Sequence, residues 1–150
     1  MGRLLGIAVR GASRAPMETR DTVHISRDTG LEGDYRGKYG PRQITVLSQE
    51  AWQAACQDVQ TELPWTTRRA NLFVSGIELA RTTRQVLHIG PVRLAITGET
   101  DPCERMDMQH MGLRQALVPA WRGGVTCFVM TPGNIRLGDE VQLLPSSSAD

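Results

Sequence analysis

Short apolar runs separated by breaker-rich stretches recur along this chain, and few segments carry helical periodicity. Leu4, Leu5, Ile7 and Val9 form the first run, closed by Gly11 and a stretch ending at Pro16, which reads as a strand and a loop. Thr22 to Ser26 alternates apolar and polar residues and predicts a half-buried strand. From Thr29 to Pro41, four glycines and a proline predict an ordered but irregular loop. Gln43 to Leu47 predicts a strand that ends at Ser48, which serves as N-cap of a helix with Glu50 in its first turn. Trp52, Ala55, Cys56 and Val59 give that helix one apolar face. Further strands are expected over Asn71 to Val74 and over Val86 to Ile89, the latter joined through Gly90-Pro91 to Val92–Thr97 as a hairpin. A polar loop from Gly98 to Arg105 precedes one helix over Met106 to Val118, with Met108, Met111, Leu113 and Leu117 as its apolar positions and Gly112 weakening it. Val125 to Met130 is a strand, Pro132-Gly133-Asn134 a turn, and Val141 to Leu144 the last strand.

About eight short strands and two helices predict a mainly β chain with flanking helices, closed or nearly closed into a β-barrel. One domain over residues 1–145 and a disordered tail over 146–150 are expected. No Gly-x-Gly-x-x-Gly or phosphate-loop pattern appears, and strands do not alternate with helices as a dinucleotide fold requires.

The net charge of +1 gives no bulk attraction to nucleic acid or membrane, and neither is expected as a partner. Its make-up is more informative: of 17 basic residues only Lys38 is a lysine and the rest are arginines, whose rigid forks match phosphate and carboxylate oxygens. A bias in genomic base composition gives the same count. No signal peptide and no run of about 20 apolar residues is present, so a reducing cytoplasm is the expected location.

Cys56, Cys103 and Cys127 are an odd number at wide spacing, neither a disulfide framework nor a zinc site. Cys56 falls on the apolar face of a helix and Cys127 inside a strand, so both are expected to be buried and inert. Cys103 lies in a polar loop behind a proline, beside Glu99, Asp101, Glu104 and Arg105, and is the candidate reactive thiol; Arg105 would favour the thiolate and the three acids oppose it. Arg68-Arg69-Ala70-Asn71 at a strand entrance offers charge-assisted donors for a phosphate, or a solvated edge. Arg122-Gly123-Gly124 offers a guanidinium beside approachable backbone amides, or a plain turn. His24, His88 and His110 are scattered and read as structural.

Gly30 to Asp34, Arg42 to Leu47, Arg68 to Leu72, Gly76 to Leu79, Ile89 to Leu94, Thr97 to Cys103, Arg122 to Val125 and Ile135 to Val141, in that order, resemble the MOSC domain, the C-terminal domain of molybdenum-cofactor sulfurases. The resemblance runs from about Leu4 to Leu144. It implies a β-barrel with flanking helices that binds the molybdenum cofactor, a pterin dithiolene carrying a phosphate. It implies that Cys103 ligates molybdenum or carries sulfur, and that Arg69 and Asn71 contact the pterin and phosphate, with Arg122 and Arg42 as further cofactor-binding positions. Longer relatives carry an extra N-terminal β domain or a C-terminal helical piece that has no counterpart in these 150 residues, so the expectation is that part of the cofactor site is missing here or supplied by a partner. Covalent pyridoxal phosphate is not expected, because Lys38 stands in a loop without the usual surroundings.

Three functions follow from the resemblance. One is an oxidoreductase that reduces N-hydroxylated substrates with electrons from a separate reductase. Another is a persulfide carrier fed by a cysteine desulfurase, and the third a non-catalytic cofactor-binding module.

Overall fold

The first strand carries the architecture. β1 (Gly2–Val9) pairs through Gly2 and Arg3 with β11 (Glu140–Leu144), and on its other side with β6 (Leu72–Ser75). β11 pairs with β7 (Val86–Ile89), and β7 forms the expected hairpin with β8 (Val92–Glu99). β8 pairs with β9 (Val125–Thr131), and β9 with β5 (Ile44–Ser48), which returns to β6. These seven strands close into a barrel, and the short β2 (Glu18–Arg20) adds to the far end of β1. The computed structural model describes residues 2–145, so the tail expected over 146–150 lies outside the described residues.

The barrel is filled by Leu4, Ile7, Ile44, Val46, Leu72, Leu94, Val129 and neighbouring side chains. Most of its strand pairs are antiparallel, but β5 and β6 are parallel. A parallel pair needs a crossover, supplied here by α1 (Gln49–Asp58) and a 3₁₀ turn over Trp65–Arg68. Those two strands are covered on both faces, by the barrel interior and by helices. Their residues therefore form continuous apolar runs rather than alternating ones.

The outer cover is a second core of Leu47, Trp52, Ala55, Cys56, Phe73, Met106, Leu113 and Leu117. Ser48 caps α1 as the sequence predicts, its hydroxyl accepting from the Ala51 amide at 3.1 Å. Trp65 stacks on Phe73 at 5.1 Å between centroids and lies over Gly6, where an added Cβ would sit 2.5 Å from the indole ring. Only glycine fits beneath that tryptophan.

Three expectations are corrected. The helix expected over Met106 to Val118 is two, α2 (Glu104–Gln109) and α3 (Leu113–Ala116), because Gly112 adopts a left-handed backbone at φ 87° between them. The buried face is Met106, Leu113, Ala116 and Leu117, while Met108 and Met111 are 82% and 88% exposed. Gly133 and Asn134 do not form a turn; they open β10 (Gly133–Arg136), which pairs with β3 (Thr22–Ser26), itself paired with β4 (Gly30–Leu31). That pairing sets Asn134 opposite His24, whose Nδ1 meets the Asn134 Oδ1 at 2.6 Å, and the cross-strand bond outweighs local turn preference. Short pieces such as β2, β4 and β10 raise the strand total to eleven among the described residues. No helix of the described residues is long and apolar enough to cross a membrane.

Candidate functional site

Cys103 follows β8 and is exposed, whereas Cys56 and Cys127 are buried as their positions predict. Complete burial pushes the Cys127 thiol far above its usual range, so it stays a neutral apolar group. Cys103 opens onto a cavity of about 310 Å³ walled by six arginines: Arg10, Arg36, Arg42, Arg68, Arg69 and Arg105. Asp101 is the one carboxylate in that lining. Among the described residues the ion-paired arginines are Arg20, Arg122 and Arg136, all elsewhere, so the six wall guanidiniums have no carboxylate partner.

Each arginine arrives on a different segment. Arg10 extends from the end of β1, where its amide donates to Asp34 Oδ1 at 3.1 Å. Arg36 comes from the glycine-rich loop, which is ordered as predicted. Gln43, 2% exposed, donates its side-chain amide to the carbonyls of Arg27 and Gly37 and accepts from the Val129 amide at 2.9 Å. One buried glutamine thereby ties the loop to β9.

Arg68 and Arg69 differ although they are adjacent. Arg68 is buried and donates from Nε to the Gly123 carbonyl at 3.1 Å and from Nη2 to the Thr100 carbonyl at 3.0 Å. Gly123 is required at that contact, since a Cβ would lie 2.5 Å from the Thr100 oxygen. Burial lowers the Arg68 pKa, and its neighbours Cys103 and Asp101 oppose the shift. Arg69 holds a left-handed backbone at φ 66° and donates from Nη2 to the Ala15 carbonyl. Its Nε is buried without a partner, as is the Oγ1 of Thr100. Among the described residues these are the only two such side-chain atoms, and both residues line the Cys103 cavity.

The wall charges repel one another. Burial first, then Arg69, Arg36 and Arg105, lower the Arg10 pKa against the pull of Asp34. Burial and then Arg105 lower that of Arg69. Guanidiniums stay protonated through shifts of this kind. The result is a concentrated positive field with unused donors, suited to a multiply charged oxyanion.

Of the positions singled out by sequence, Cys103, Arg69, Asn71 and Arg42 come together at this cavity. The polar atoms of Asn71 are largely engaged in the fold. Its Oδ1 accepts from the Thr45 amide at 3.0 Å and its Nδ2 donates to the Ala8 carbonyl at 3.2 Å, joining β5 to β1. Arg122 is not brought there. Its Nη1 donates to Asp58 Oδ2 at 2.6 Å and to the Ala116 carbonyl, in a separate groove beside α1. The Gly124 amide is spent on the Trp121 carbonyl. Sequence reading passed over Arg10, Arg36, Thr100 and Gln43. The one signal for Arg36 was its place in the glycine-rich loop.

No group of three or more histidine, cysteine or acidic residues among the described residues is arranged to hold a metal ion. The donor set is one soft sulfur beside an anion cradle, which fits a metal that brings its own chelating ligand with a phosphate attached.

No curated protein matches the sequence. Solved structures share the fold. The YuaD protein of Bacillus subtilis superposes with a TM-score of 0.81 at 18% identity, covering 95% of this chain and 96% of that one. YiiM of Geobacillus stearothermophilus superposes at 0.75 with 13% identity, covering 96% and 75%, and YiiM of Escherichia coli at 0.71 with 16% identity, covering 95% and 69%. The MOSC domain model matches residues 23–142, a span that includes Cys103 and five of the six wall arginines, and the chain belongs to the MOSC domain family.

Proposed function

We propose that this chain binds a molybdenum–pterin cofactor in the arginine-walled cavity, with the Cys103 thiolate as its ligand to the metal, and serves as the catalytic component of a reductase for N-hydroxylated substrates. The observation that carries the reading is the pair of buried, unpartnered donors, Arg69 Nε and Thr100 Oγ1, on the wall of the cavity that holds Cys103. Leaving a buried donor unpaired costs about 1–3 kcal/mol, and the oxygens of a phosphate in this cavity would supply acceptors for such donors.

Arg69 and Thr100 would hold the phosphate, with Arg10, Arg36 and Arg42 completing the charge, while Arg68 fixes the Thr100 segment that leads to Cys103. The cofactor, when bound, supplies two-electron redox chemistry at its metal. The net reaction breaks one N–O bond, consumes two electrons from a separate reductase and two protons, and releases water. Asn71 and Gln43 act as positioning residues, holding β1, β5 and the Arg36 loop in place.

The exposure of Cys103 favours a second reading, a persulfide carrier. There the thiolate attacks the outer sulfur of a desulfurase persulfide, forms its own persulfide, and releases the donor thiolate.

Elemental analysis of protein from a cofactor-producing host separates the two. Molybdenum near one atom per chain, lost in Cys103→Ser while the fold is retained, supports the reductase. Sulfane sulfur at Cys103 without molybdenum supports the carrier, and neither element overturns both.

A further inference from the structure

We infer that the Cys103 cavity continues into a second anion subsite centred on Arg14, so that the groove holds two phosphate-class groups side by side. The inference rests on reading the first cavity as a phosphate site. A second cavity of about 300 Å³ is lined by Arg14, Arg69, Arg105, Met108 and Gln109. Arg69 and Arg105 also wall the first, so the two spaces share two guanidiniums. Each alone sits at the small end of ligand pockets, whereas the joined groove is of ordinary size.

Charge makes the stronger argument. The second cavity has no acidic residue in its lining, and the whole groove sets seven arginines against Asp101. A single phosphate monoester brings about two negative charges and leaves most of those guanidiniums uncompensated. Arg105 lowers the pKa of Arg69, and both lower that of Arg10, so the repulsion falls across the shared wall. A second phosphoryl group at that wall relieves it and forms charge-assisted bonds to Arg14 and Arg105.

The subsite is built into the fold. Arg69 donates to the Ala15 carbonyl and the Ala15 amide donates to Ala12, which fixes the loop carrying Arg14 against the first cavity. Beyond the arginines, the Gln109 amide and the exposed Met108 thioether offer a hydrogen-bonding edge and a polarisable surface. Those groups suit a flat ring attached to the second phosphate. Two sources share this chemistry: a nucleotide joined to the cofactor through a diphosphate, or a separate phosphate-bearing ligand.

Calorimetric titration of cofactor-free protein with inorganic phosphate and with pyrophosphate at fixed ionic strength tests the subsite. Pyrophosphate is expected to bind about tenfold tighter than phosphate, one additional charged hydrogen-bond contact being worth that much. Arg14→Ala should erase most of that advantage and leave phosphate affinity within about twofold, while Arg42→Ala weakens both probes. Arg81→Ala, an exposed arginine outside both cavities, controls for simple loss of charge. Equal affinities for the two probes, or an Arg14→Ala effect no larger than that of Arg81→Ala, overturns the second subsite and leaves the first standing. Failure of both probes to bind overturns the phosphate reading of the first cavity as well. Pterin released from denatured holoprotein then assigns the source. A nucleotide-linked pterin makes the second phosphate the cofactor's own. A monophosphate pterin assigns it to a separate ligand, and both results keep the subsite.

Discussion

The guanidinium of Arg68 donates to the carbonyl of Thr100 across 3.0 Å, tying the turn before β6 to the start of the loop that carries Cys103. The same side chain takes up the Gly123 carbonyl, so one buried cation satisfies two otherwise orphaned acceptors. Arg68→Ala should lower unfolding free energy by about 2–3 kcal/mol, since both carbonyls lose a charged donor. Arg68→Lys should recover less than half of that, because an ammonium cannot reproduce the fork. Urea midpoints for the three proteins check this, and a loss under about 0.5 kcal/mol, the size of a neutral surface change, in Arg68→Ala refutes the clamp.

Thr100→Val inverts the usual relation between a binding-site change and stability. The hydroxyl is buried and unpartnered, so its replacement by a methyl of the same shape should stabilise the cofactor-free protein by about 1 kcal/mol. Phosphate affinity should fall by about tenfold in the same variant. Thermal unfolding and phosphate titration measure the two effects. A less stable variant with unchanged affinity would show that the hydroxyl has a partner within the folded chain.

The three thiols should alkylate in a fixed order. Cys103 is exposed, Cys56 is 8% exposed on α1, and Cys127 is fully buried with its thiol pushed toward the neutral form. Pulsed labelling followed by mass spectrometry should give Cys103 first, and Cys127 only at the rate of unfolding. Bound cofactor should protect Cys103 selectively. Protection spread evenly over all three would indicate global stabilisation instead.

Glu99, the last residue of β8, carries a pH signature of its own. Burial, and then repulsion from Asp101, raise its pKa above the usual carboxylate value. In the window between the ordinary value and the raised one, the folded protein binds more protons than the unfolded chain. Stability from this group is therefore fully present below the ordinary value and is lost as pH rises through the raised one. Glu99→Gln should thus be more stable than the parent at pH 7, and the difference should vanish near pH 4. A difference that grows on acidification contradicts the assignment.

The barrel was legible because its strands are short, bounded by glycine and proline, and rich in β-branched residues from Ile44 to Val46 and Val92 to Ile96. Cys103 stood out because the other two cysteines lie in apolar patterns. The division of labour between Arg68 and Arg69 was not legible. Both line the cavity, but Arg68 spends its donors on the Gly123 and Thr100 carbonyls while Arg69, on a left-handed backbone, keeps its Nε unpartnered, a difference that only the folded segments around them create. Arg122 had the right residue type beside paired glycines, yet Asp58 on α1 claims it through a contact 64 positions away. Arg10 carries no local signal, and Arg36 only its place in the glycine-rich loop. They matter because closure of the barrel and the Gln43 bonds bring their segments to one cavity.

The pairing of Gly2 with Val141 has a consequence for the order of events in folding. It joins the two ends of the described barrel, and a contact of such sequence separation carries a large loop-closure cost and forms late. Every side chain lining the Cys103 cavity lies before Asp107. Those side chains therefore belong to segments that can collapse locally before the ring is sealed, while their fixed alignment waits on one long-range strand pairing.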